Sequence, residues 1–198
     1  STIFNCMSNV KAETSNFAFT SNKSNIGVIH VPDQRLYELE KYQPTQRVVP
    51  ATVEIVDIPG LTKGANQGEG VGNKFLADIR NTDALIHVLR CFDDENITHV
   101  HGGIDPVNDA EIINLELIFS DLELVEKRII AEEKKARGQD KDAKIKLAGL
   151  LKIKAVLEDE KPVWAAQLDK QEKILIDREL LLLTSKKVIY VANVSEED

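Results

Sequence analysis

Apolar residues along this chain recur with two different periods, and the boundary between them divides it. Ile3, Phe4, Met7 and Val10 fall on one side of a helix over residues 1–13, the spacing of a stripe laid against a sheet. Thr14 to Ser24 is polar and without period, which predicts a mobile loop. Asn25 to Val31 alternates as a strand, Pro32-Asp33 opens a short helix around Leu36 to Tyr42, and Val48 to Val56 supplies a partner strand, so this part reads as the edge of a sheet. A glycine-rich stretch follows, then a helical pattern over Val71 to Arg80. The continuous apolar run Ala84 to Arg90 is the kind expected of a strand buried on both faces. Strand and helix in alternation imply a largely parallel sheet.

From Asp109 to about Leu183 the period becomes helical. Ile113, Leu117, Leu122, Val125 and Ile129 are followed by Ile145, Leu150, Ile153 and Leu157, then Leu168, Ile174, Leu175 and Leu182, with charge between them and a break at Arg137-Gly138-Gln139-Asp140. That pattern predicts an antiparallel helical arm, largely solvent-facing. Val188 to Ala192 returns as a strand, which makes the arm an insertion. The expected layout is a nucleotide-type domain over 1–108, the arm over 109–184, and a returning strand with its loop over 185–198. Cys91 to Asn108 is long enough for a functional loop.

Composition narrows the classes. A net charge of −8 and a pI near 5.1 over 198 residues exclude a protein that coats nucleic acid generally, while leaving room for a local basic face. Two cysteines form neither a disulfide framework nor a zinc spacing. No window approaches a membrane span and no leader pattern opens the chain, so a cytoplasmic protein is expected. Both ends look unfinished, which suggests a fragment.

The candidate chemistry lies where the sheet pattern stops. The apolar run ends at Asp57, and Asp57-Ile58-Pro59-Gly60 opens a loop with five glycines reaching Gly72. A strand-end carboxylate can hold Mg²⁺ through its water shell, and a glycine N–H can approach a terminal phosphate closely. Ser1-Thr2 opens the first helix, the place of the hydroxyl that follows Gly-Lys in a phosphate-binding loop and ligates Mg²⁺. After the last strand stands Asn193-Val194-Ser195-Glu196. Guanine-specific proteins of this kind carry Asn-Lys-x-Asp there, and the longer Glu196 together with Val194 weakens guanine selection and admits adenine. Leu61 replaces the glutamine that orients the attacking water in many such switches, so another group must do this. His99, and less so His101, lie in the long loop and are candidates, whereas His30 and His87 lie in strands and read as structural. Ten cations from Lys127 to Lys154 surround the arm's break and could meet phosphate backbone, but the interspersed acids favour a solvated arm.

Taken together, Asp57-Ile-Pro-Gly-Leu61, Lys63-Gly-Ala65, Gly68-Glu-Gly70-Val-Gly72-Asn73-Lys-Phe75-Leu76, His87-Val-Leu-Arg90-Cys-Phe92 and Asn193-Val-Ser-Glu196 resemble the YchF/Obg-like ATPases, over the whole chain. The resemblance implies a Ras-like P-loop NTPase fold with helices on both faces of the sheet, interrupted by a coiled-coil arm, and a carboxyl-terminal TGS domain that this chain lacks. It implies Mg²⁺-dependent hydrolysis of ATP, with GTP also accepted, by a monomer that associates with the ribosome, its large subunit foremost, and not with membranes; RNA contact would come through the arm. By the same resemblance Ser1 and Asp57 are Mg²⁺ ligands, Thr2 and Gly60 lie on the phosphates, Asn193, Val194 and Glu196 contact the base, and His99 stands in for the missing glutamine. Where the family has a Mg²⁺-clasping threonine before the second strand, this chain has Ser21-Asn22-Lys23-Ser24-Asn25, which makes Ser21 the remaining candidate ligand. Without the glycine-lysine half of the phosphate loop, the chain as it stands is expected to bind nucleotide poorly. The rival readings are an ordinary GTPase and a non-catalytic ribosome- or RNA-binding module that uses the arm.

Overall fold

A computed structural model describes residues 2–8, 25–58, 71–93, 103–138 and 140–195. They fall into two compact units, Ser1–Gly60 and Leu61–Asp198.

In the first unit, β1 (Asn25–His30) and β2 (Thr52–Asp57) pair antiparallel, from Asn25 opposite Asp57 to His30 opposite Thr52. β2 starts later than the apolar pattern from Val48 suggests, because Pro50 has no N–H to give to a ladder. Between the strands runs α2 (Gln34–Tyr42), capped by Asp33, whose carboxylate accepts the Arg35 N–H at 3.0 Å. The first helix, α1, is described over Thr2–Met7 and seats Phe4 and Ser8 against the hairpin. Gly27 makes the close approach possible: a Cβ there would lie 2.7 Å from the Ser8 Cβ and 3.0 Å from the Phe4 ring.

In the second unit, α3 (Val71–Arg80) leads to β3 (Ala84–Arg90), which pairs in parallel with β4 (Lys187–Asn193). β3 is not buried on both faces. Leu85, His87 and Leu89 are half-buried, while Ala84, Ile86 and Val88 are exposed, because within this unit α4 packs against β3 and no other described element covers its second face. Between the paired strands lie α4 (Pro106–Arg137), α5 (Lys141–Glu158) and α6 (Lys170–Asp177). α4 begins three residues before Asp109, with Asp105 accepting the Asn108 N–H at 3.0 Å and Pro106 in the first turn, where its missing N–H costs nothing. α5 is capped by Asp140 and ends at Glu158; Glu160 then turns the chain with φ 54, in the left-handed region.

The core joins Ile118, Val125 and Ile129 of α4 to Leu150, Ile153 and Leu157 of α5, closed by Val163, Ile176 and Leu182. Ile174, expected inside, is exposed. A capping box of Asp169 and Glu172 fixes the start and hence the phase of α6, which turns Ile176 inward and Ile174, two residues or about 200° away, outward. Asp121 also faces this core with no solvent exposure. Its carboxylate accepts the Leu183 and Thr184 N–H groups at 2.9 and 2.8 Å and the Thr184 hydroxyl at 2.9 Å. Arg80, at the end of α3, approaches the same carboxylate at 3.5 Å, and donates to the Leu181 carbonyl and the Ser120 hydroxyl, both at 2.9 Å. The three segments meet at one ion.

Candidate nucleotide site at the strand ends

The candidate residues divide between the two units. In the first, Asp57 is the last residue of β2, half-buried and engaged by neighbours, with Asn25 across from it in the ladder. β1 therefore begins beside the point where β2 ends, and the chain leaves Asp57 toward the glycine-rich stretch. Thr2 opens α1, whose place on the hairpin is fixed by Phe4 and the bare Cα of Gly27. Ser1, Ser21, Gly60, His99, His101 and Glu196 lie outside the described residues, as does the expected loop from Thr14 to Ser24.

In the second unit, Arg90 and Asn193 are register partners at the carboxyl ends of β3 and β4, and the Cys91 N–H donates to the Asn193 carbonyl at 2.8 Å. The ladder thus runs one step past β3 and holds Asn193 at the rim, its side chain exposed, with Val194 exposed next to it. The carboxyl ends of parallel strands are where α/β folds place ligands. Arg90 does not project into that opening: its guanidinium stands 4.9 Å from the Phe92 ring and its Nε donates to the Phe92 carbonyl at 3.0 Å. This clamp turns the chain after β3. The run Arg90-Cys-Phe92 carried its signal in the sequence, since a cation two residues from an aromatic at a strand end has both partners for such a contact.

His87 sits within β3, its ring 5.6 Å from that of Tyr190 on β4, and Tyr190 accepts from the Asn114 amide at 3.1 Å. Burial pushes the imidazole below its ordinary value against the opposing pull of Asp109, so the ring is neutral near pH 7 and binds β3 to β4 and α4. The other missed residues are Asp121 and Glu132. Both fall on the apolar face of α4: Asp121 lies midway between Leu117 and Val125, and Glu132 three residues after Ile129. An acid in phase with an apolar stripe is the sign that could have found them.

Among the described residues no group of three or more His, Cys, Asp or Glu is placed to hold a metal ion. Mg²⁺ in nucleotide sites takes one or two carboxylates and completes its shell with phosphate oxygens and water. A single strand-end carboxylate such as Asp57 fits that need.

Comparisons with known proteins agree with the fold. Residues 1–134 match the family described as 50S ribosome-binding GTPase. The chain belongs to this family of P-loop NTPases, and within it to the YchF group. The ribosome-binding ATPase YchF of Bacillus subtilis is 46% identical over 198 residues, and that of Escherichia coli O157:H7 is 46% identical over 197; each match covers 100% of this chain and 54% of the relative. The structure of the Schizosaccharomyces pombe YchF GTPase superposes with a TM-score of 0.70 at 40% identity, over 87% of this chain and 47% of that one. The fold is therefore the Ras-like P-loop NTPase fold, and the chain spans about half the length of the curated relatives it matches.

Proposed function

We propose that this chain is the nucleotide-binding part of a ribosome-associated switch that hydrolyses ATP and accepts GTP, acting in the cytoplasm as a monomer. The observation that carries the reading is Asp57, which ends β2 opposite the first residue of β1 and directly precedes the glycine-rich stretch. A carboxylate so placed serves a metal–phosphate group, with Gly60 as its close-approach N–H. Ser1, Ser21 and Asp57 are the proposed Mg²⁺ ligands, Thr2 and Gly60 the phosphate contacts, and Asn193, Val194 and Glu196 the base contacts, with His99 holding the attacking water. The nucleotide domain comprises 1–108 and 185–198, and the helical arm 109–184 is inserted in it as the part that meets the ribosome. Relatives named ribosome-binding ATPases over the full length of this chain support the partner and the substrate.

The test is calorimetric titration of ATP and of GTP, each with Mg²⁺, into the full-length protein. ATP binding at least as tight as GTP binding is expected, with Asp57→Ala removing Mg²⁺-dependent turnover and His99→Ala slowing hydrolysis while affinity stays. Turnover that survives Asp57→Ala overturns the assignment. A clear preference for GTP would establish the second reading, an ordinary GTPase, which the description of the matched family favours.

A further inference from the structure

Along a strand side chains alternate between faces, and residues directly opposite in an antiparallel pair share one. Gly27 is opposite Ile55 and Asn25 is opposite Asp57, so these four face one way, while Ile26, Val28 and His30 of β1 face the other. The two faces differ in cover. Gly27 is buried and Asn25, Ile55 and Asp57 are half-buried, whereas Ile26, Val28 and His30 are exposed. The cover is α1, whose buried Phe4 and Ser8 stand where a Cβ on Gly27 would point, and which also packs on β2. Asp57 therefore shares its face with α1, two residues or about 7 Å along the hairpin from the Gly27 pair.

The bare Cα of Gly27 sets how closely α1 approaches that face. A Cβ there would lie 2.7 Å from the Ser8 Cβ, 3.1 Å from its Oγ and 3.0 Å from the Phe4 Cζ. Carbon atoms settle at about 3.5–4.0 Å, so any larger residue lifts this end of α1 by about 1 Å. The Ser8 Cβ cannot swing aside, because it is bonded to the backbone, and the Ser8 N–H donates to the Phe4 carbonyl at 2.9 Å. Thr2 opens the same helix, two residues before Phe4, and moves with it. Strand stability does not call for glycine at this place. Glycine weakens a strand interior, and the φ of Gly27 lies outside the left-handed region, so the close approach of the helix is what requires it.

We infer that Gly27 is a positioning residue for the metal–phosphate site, its bare Cα setting the spacing between α1, which carries Thr2, and the Asp57 carboxylate at the end of β2. The inference rests on the proposed nucleotide reading, in which Ser1, Thr2 and Asp57 serve one metal–phosphate group. Gly27 acts through α1 and not on the ligand.

The test uses the full-length protein, with calorimetric titration of ATP in Mg²⁺ and in EDTA beside turnover measured across Mg²⁺ concentration. Gly27→Ala should lower kcat/KM about tenfold to a hundredfold, the cost of misplacing groups by about 1 Å, and raise the Mg²⁺ concentration that half-saturates turnover. Its loss of ATP affinity should be larger in Mg²⁺, where both sides of the metal's shell move apart, than in EDTA. Gly27→Ala combined with Ser8→Gly transfers the bare Cα from strand to helix, removes the atoms at 2.7 and 3.1 Å, and should recover most of the loss. Ser8→Val enlarges the same contact from the helix side and should reproduce the Mg²⁺ shift with β1 intact, whether or not Gly27→Ala folds. Val28→Ala, on the open face of the same strand, should keep native values. Unchanged Mg²⁺ dependence in Gly27→Ala and Ser8→Val, equal loss in Mg²⁺ and EDTA, or no recovery with Ser8→Gly would each overturn the inference and leave the nucleotide reading standing. A native protein whose ATP affinity ignores Mg²⁺ would remove that reading and this inference with it.

Discussion

The helical arm and the strands solve the problem of burial in different ways. Residues 106–185 close a core from their own sequence, with Val125 and Ile153 at 0% exposure and Leu150 and Leu157 at 1%. In the strands, β-branched residues stay open, among them Ile26 and Val28 at 57% and Ile189 at 61%. A helix stripe needs only another stripe, and the turn at 138–140 brings one within reach. A two-stranded sheet has two faces, and among the described residues one helix packs on each pair, α1 on the first and α4 on the second; such pairs are marginal on their own. Asp57 and Asn193 stand on the less buried strands, while the arm holds the packed core. Local opening should therefore begin at the strand ends, where a site must admit a ligand.

The strongest way to break this contrast is to remove the ion on which the arm is rooted. Asp121→Ala leaves the Leu183 and Thr184 N–H groups, the Thr184 hydroxyl and Arg80 without their shared acceptor in a water-free place. Loss of one partner from a buried charged network costs about 3–5 kcal/mol. Denaturant unfolding of the full-length variant should show a lowered midpoint, and hydrogen exchange should place the loss at both the arm root and β4. A loss below about 1 kcal/mol would mean that the apolar core alone holds the root.

That network also marks the limit of what could be read in the sequence. The order of elements, the break at Gly138, the Asp33 cap and α3 over Val71–Arg80 follow from period and capping, which act within a few residues. Pairing at a distance left no such trace. Asp121 stands in phase with the apolar stripe of α4, but its donors at Leu183 and Thr184 lie more than 60 residues away. Ile174 and Ile176 show the same limit within one helix, since both are isoleucines and the Asp169 cap decides which one faces the core. At the candidate site the pattern gave Asp57 and Asn193 as strand ends, because an apolar run that stops at a polar residue is a local fact.

Two glycines give a sharper comparison, one from each region. In the arm, a Cβ at Gly149 would lie 2.7 Å from the Ile176 Cδ1 and 3.0 Å from the Glu172 Cβ, in the seam where α5 meets α6. Gly149→Ala gains helix propensity but forces α6 outward, and the crowding costs about 1–3 kcal/mol before up to about 1 kcal/mol is returned. In the first unit, Gly27→Ala meets the Ser8 Cβ at 2.7 Å, an atom next to the backbone, so α1 itself must move. Thermal unfolding should register the arm substitution. Gly27→Ala should instead raise exchange of the α1 amides with little change at the arm. Equal global destabilisation by both would show that the two regions unfold together.

The smallest effect distinguishes the two buried acids by sign. Burial raises the Glu132 carboxyl, but the Lys135 hydrogen bond and the charges of Lys146, Arg128 and Lys135 outweigh it and hold the group below its ordinary value. Arg128 stands at 3.1 Å, Lys135 at 3.0 Å and Lys146 at 3.6 Å. A carboxyl depressed in the folded state binds fewer protons there than in the unfolded chain, so its stabilisation is complete above the ordinary glutamate range and is lost as pH falls through the depressed value. Asp121 behaves in the opposite way. Burial lifts it above the ordinary aspartate value despite the Thr184 and Leu183 N–H groups and Arg80, so its ionised form is the strained one and protonation on acidification relieves that strain. The melting temperature of the native protein minus that of Glu132→Gln should therefore be largest near neutrality and shrink between about pH 5 and pH 3, while the same difference for Asp121→Asn should grow or stay level. A Glu132 difference that grows on acidification would mean that burial, and not its three cations, governs that carboxylate.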